Sequence, residues 1–112
     1  MLLRSLRSIG FVATLLLACV GLAGCSSDES RIYDAFKCGH VARILGRTEQ
    51  ARAAADKVKP LLDKKTGNPG PYMMKLRDKM TNDLELHRLS PQGQSEKIIG
   101  IYESGTCQKL YE

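Results

Sequence analysis

The chain has 112 residues, a formal net charge of +5, no tryptophan and only two phenylalanines and four tyrosines. That length holds one domain at most, and a core drawn mainly from Leu, Ile, Val, Met and Ala favours helices over sheet. The positive excess is mild and nothing in it points to nucleic acid, although it suits other anionic surfaces.

Residues 1–7 are short and basic, with Arg4 and Arg7 as their charges, and residues 9–20 (IGFVATLLLACV) are almost wholly apolar. A charged start, an apolar run and a small-residue exit form a secretory signal, which stands outside the fold. An uncleaved transmembrane anchor is the alternative, but the apolar run is on the short side for a full span. With residues 1–24 removed, all twelve acidic residues remain against fifteen cations, a net charge of +3.

The exit reads Leu22-Ala23-Gly24-Cys25. This resembles the lipobox of bacterial lipoproteins, an aliphatic residue and two small ones before a cysteine. Leu16-Leu17-Ala18-Cys19 is a poorer version, with bulky Leu17 in the small-residue position. The resemblance implies that Cys25 becomes the new N-terminus and carries diacylglycerol on its thiol, with fatty acylation such as palmitate. Several acyl chains make a stable anchor where one is marginal. Ser26 and Ser27 follow without an aspartate, which in the enteric sorting pattern implies the outer membrane, facing the periplasm. Residues 25–30 are expected to form a polar tether and residues 31–112 the domain.

The domain reads as all-α, a small unit of three to four helices. Residues 31–47 predict a first helix, capped by Ser30 or Asp28. Its stripe is Phe36, His40 and Ile44 flanked by Tyr33, Val41 and Leu45, with Lys37 intruding and Gly46 as the stop. Thr48 is the expected cap of a second helix in which Ala51, Ala55, Val58 and Leu62 recur at helical spacing, with Ala54 and Leu61 alongside, and Pro60 should kink or end it. The short join forces an antiparallel hairpin. The wording ARILGRTEQARAAADK loosely resembles one tetratricopeptide-type unit, but no second copy follows at a fixed period. Residues 64–71 (KKTGNPGP) form a loop. Met73, Leu76, Met80, Leu84 and His87 then mark the cleanest amphipathic stretch. Ser90-Pro91 opens a last helix carrying Ile98, Ile101 and Tyr102. Gly105 closes it, and Cys107, Leu110 and Tyr111 form a tail.

Once the signal is gone and Cys25 is acylated, Cys38 and Cys107 remain as an even pair, read in an oxidising compartment as a disulfide. Closing a loop of that length stabilises by roughly 4 kcal/mol on chain-entropy grounds. Cys38-Gly39-His40 invites a metal or nucleophile reading. A zinc site would want further ligands, with only His87 and Cys107 as soft candidates, and haem attachment lacks its second cysteine. The plainer expectation is a packed, hydrogen-bonded His40 on the core face. Met73, Met74, Met80 and His87 would suit Cu(I), yet three of them fall on the predicted core stripe, where methionine commonly fills gaps. No metal or cofactor is therefore expected. Lys57, Lys59, Lys64 and Lys65 gather around the loop, with Lys75, Arg77 and Lys79 beyond it, as a candidate patch for an anionic partner. Hydrolase, metalloprotease and phosphate-loop motifs are absent, so the chain does not read as an enzyme.

Two functions follow. One is a membrane-anchored envelope lipoprotein that binds another protein, of the exclusion, immunity or accessory-subunit kind. The other is a structural lipoprotein whose basic loop contacts peptidoglycan or lipopolysaccharide. A soft-metal or thiol-redox role through Cys38, His40 and the methionines is the third.

Overall fold

The computed structural model describes residues 27–112. The expected signal sequence, both candidate lipobox cysteines, Cys19 and Cys25, and the first part of the expected tether lie outside the described residues. Five α-helices follow in order: α1 (Asp28–Ile44), α2 (Thr48–Lys65), α3 (Pro69–Leu84), α4 (Pro91–Glu103) and α5 (Gly105–Tyr111), with a 3₁₀ turn at Leu86–Arg88. The class is all-α as expected. The fifth helix is the cysteine-bearing tail, too short for its periodicity to show in sequence.

Local chemistry sets most of the boundaries. Ser27 caps α1 by accepting the Ser30 N–H at 3.2 Å, and Asp28 and Glu29 complement the positive end of the helix dipole. Helix therefore replaces the second half of the expected tether, and Ser30 and Asp28 lie inside it. Gly46, at φ +73°, closes α1. Its N–H donates to the Arg43 carbonyl, and that of Arg47 to Ala42, at 3.0 and 2.8 Å. This is a Schellman closure, whose left-handed residue costs a glycine least. Arg47 rather than Thr48 occupies the cap position of α2 and gives no side-chain cap bond.

Pro60 does not end α2, which runs five residues further. Proline removes one backbone donor, and both Pro60 and Asp56, whose carbonyl loses that donor, lie on the solvent side. Pro69 begins α3 at its first position, where the missing N–H costs nothing. That helix stops at Leu84, short of His87, because Glu85 turns left-handed at φ 47°. The Lys97 ammonium then donates to the Leu84 carbonyl at 2.8 Å. Ser90 caps α4 through the Gly93 N–H. Ser104 ends α4 and caps α5 at once, donating to the Ile101 carbonyl and accepting from the Cys107 N–H. This corner turns Cys107 back toward the first helix.

Helix α1 is the hub, touched by all four of the others. Against α2 it packs through small residues: Ala35, Ala42, Ala51 and Ala54 are buried. A Cβ added at Gly39 would sit 3.7 Å from the Ala51 carbonyl oxygen. Against α3 it packs Ile32 and Tyr33 on Leu76, Met80 and Leu84, with Val58, Leu61 and Leu62 of α2 closing the cluster. Each such large side chain, fully buried, contributes about 1.5–3 kcal/mol. Cys38 and Cys107 are bonded, with α-carbons 5.3 Å apart. Tyr111 donates to the Cys38 carbonyl at 2.6 Å and stacks near Tyr102 at 5.1 Å, fastening α5 beside the disulfide.

Candidate functional site

A groove of about 280 Å³ lies where α1, α2 and α3 meet; a larger and more open depression of about 500 Å³ lies beside the disulfide, between Lys37, Lys97 and Ile101. The wall of the groove on α1 steps one turn at a time through Ile32, Phe36, His40 and Arg43, and its wall on α2 through Ala51, Ala55, Val58 and Leu62. Helical spacing of three or four residues places each set on one face. The α2 stripe expected from sequence is thus the groove wall. The α1 stripe is divided: Phe36 and His40 line the groove, while Ile44 is half exposed at the far end.

The floor is apolar and the mouth is charged. Arg43, Asp56 and Lys59 stand at the rim, all exposed. Lys59 pairs with Asp63 at 3.1 Å, an exposed contact of small energetic weight. Arg43 enters no ion pair with the other described residues. His40 is half-buried on this wall rather than packed into the core. Burial holds its pKa below the ordinary 6.5, reinforced by the positive charges of Arg43 and Arg77, so the ring is neutral near pH 7.

The four lysines of the candidate patch do not share one surface. Lys57 and Lys59 are two residues apart on a helix and point to opposite flanks. Lys57 reaches α5 and donates to the Lys109 carbonyl at 2.7 Å. Lys65 reaches α1 and pairs with Glu29 at 2.5 Å. That hydrogen bond lowers the Glu29 pKa and raises that of Lys65. Lys64 is exposed.

Cys38 is fully buried in the disulfide, so it is no nucleophile in this state, and His40 faces the groove. The methionines separate too: Met80 is buried, Met73 lines the groove, and Met74 faces solvent. His87 is exposed on the 3₁₀ turn rather than on the α3 stripe.

Sequence reading missed the clamp between α1 and α3. The Tyr33 hydroxyl donates to Asp83 at 2.5 Å, and the Lys79 ammonium lies 4.2 Å from the centre of the Tyr33 ring. Burial and the Asp83 carboxylate raise the Tyr33 pKa. The residues lie 50 positions apart, and no local pattern links them. Arg43 was legible in principle, since it follows His40 by three residues on the same face. No protein-family model, curated protein or solved structure matches the chain, and no described helix is long and apolar enough to cross a membrane.

Proposed function

We propose that the chain is an envelope lipoprotein, anchored by acylated Cys25 on the periplasmic face of the outer membrane, that binds a partner protein without catalysis. The anchor rests on the charged start, the apolar run and the Leu22-Ala23-Gly24-Cys25 exit. The binding role rests on one observation, the groove. At about 280 Å³ it falls just below the range of about 300–1,000 Å³ usual for small-molecule sites. That volume also has room for one or two large apolar side chains of a partner. The unpaired Arg43 guanidinium at the mouth favours an acidic residue beside that anchor. Anchoring a partner through a buried apolar residue with a charged rim is a common way to concentrate binding energy. Exclusion and immunity lipoproteins and accessory subunits of envelope machines are the kinds of protein this build serves. The alternative, contact with peptidoglycan or lipopolysaccharide through the four lysines, has less support because Lys57, Lys59 and Lys65 each engage groups of this chain.

A photo-crosslinker placed at Ala55, an exposed wall position, tests this in intact cells. It should yield a defined protein adduct that a crosslinker at Ile99, exposed on α4, does not, and Arg43→Glu should reduce the yield several-fold. Equal adducts at both positions, or none at Ala55, would remove the groove from the account.

A further inference from the structure

The described helix starts almost at the proposed anchor. Cys25 precedes the α1 cap Ser27 by two residues, a reach of at most about 7 Å. The first turn of α1 must then lie close to the bilayer surface. The Lys65–Glu29 pair at 2.5 Å brings the α2–α3 turn to that same end, and the Tyr72 ring lies 6.0 Å from the Lys65 ammonium. From this turn the chain enters α3, where Pro71 and Met74 fall one helical turn apart on an exposed face with Lys75 beside them. Met74, at 69 %, is the most exposed large hydrophobic side chain among the described residues. It has no core function, and nothing in the packing explains it.

We propose that this end of the molecule, through Lys64, Pro71, Met74 and Lys75, rests on the phospholipid headgroups of the membrane that holds Cys25. The inference rests on the lipid anchor proposed above. Lysine stems lie along apolar surface while their ammonium groups meet phosphate, and basic residues beside a membrane are attracted to anionic headgroups. With Lys65 paired to Glu29 and Lys59 to Asp63, Lys64, Lys75 and Arg31 stand against Asp28 there. Met74 adds the apolar contact, held against the surface by the anchor itself rather than by its own affinity. The Ile44 end of α1, seventeen residues on, is carried about 25 Å from the anchored end.

The chain has no tryptophan, so Met74→Trp and Ile44→Trp each introduce a single reporter. Both full-length lipidated variants are reconstituted into vesicles of phosphatidylethanolamine and phosphatidylglycerol, with and without brominated acyl chains. Trp at position 74 should be blue-shifted and quenched by bromine several-fold more than Trp at position 44. Adding Lys64→Glu and Lys75→Glu should reduce that quenching. Equal, solvent-like behaviour of both reporters in chains that float with the vesicles would overturn the surface while leaving the anchor standing. Chains that fail to float would overturn the anchor, and the surface with it. Quenching that appears only after lipopolysaccharide is added would overturn phospholipid as the occupant.

Discussion

His40 sits where two demands meet, since its ring must be desolvated to line the groove and must stay uncharged beside Arg43 and Arg77. Its folded pKa lies below its unfolded value, so between the two the unfolded chain binds more protons and stability rises with pH. The contribution is fully present above the unfolded value near 6.5 and is lost as pH falls through the folded one. A urea titration series should show the midpoint falling as the solution is taken from pH 7.5 toward pH 5, and His40→Gln should flatten that part of the profile. Glu29, held low by Lys65, acts in a separate window below about pH 4.5, so the two are resolved along the pH axis. An unchanged profile in His40→Gln would mean that the ring is as well solvated folded as unfolded.

Among the elements, the core face of α1 was harder to read than the stripe of α2, for a physical reason. Helix α1 is packed by four others and buries Ile32, Tyr33, Ala35, Cys38, Val41 and Ala42 around much of its circumference. A helix buried on several sides carries no single stripe, so Phe36, His40 and Ile44 stood out in sequence without being its core face. Helix α2 carries its readable stripe, Ala51, Ala55, Val58 and Leu62, along the groove wall, while the residues it buries most fully are Ala51 and Ala54. Gly46 was legible because only a left-handed residue closes α1 there, whereas Glu85 ends α3 with the same geometry and no residue preference to announce it. The cysteine pair was legible by parity and the helix carrying Cys107 was not. That helix has seven residues, too few to persist alone, and depends on the disulfide, the Tyr111 bond to the Cys38 carbonyl and the Lys57 bond to Lys109. Reducing the disulfide should therefore lower the melting temperature by well over ten degrees, as about 4 kcal/mol of loop entropy is released in a domain that gains several degrees per kcal/mol. Amide exchange should quicken first in α5, ahead of α1 and α2. Exchange rising evenly across all five helices would show that α5 has no separate dependence on the bond.

At the scale of the whole domain, the Cys38–Cys107 disulfide ties the first described helix to the last, a chain separation of 69 residues, and fixes a domain of marginal size. The proposed anchor would place the membrane at the start of α1, and the groove lies along the same helix, so the proposed anchor and binding face would share one element. The covalent state of Cys25 decides whether the domain is lipid-anchored, and intact and fragment mass spectrometry of the protein extracted from envelopes measures it most directly. The expected result is a mature chain beginning at Cys25 that carries diacylglycerol on the thiol, with Cys25→Ser accumulating as the uncleaved, unacylated precursor. A mature N-terminus at any other residue, or an unmodified Cys25 in the membrane-bound protein, would contradict it.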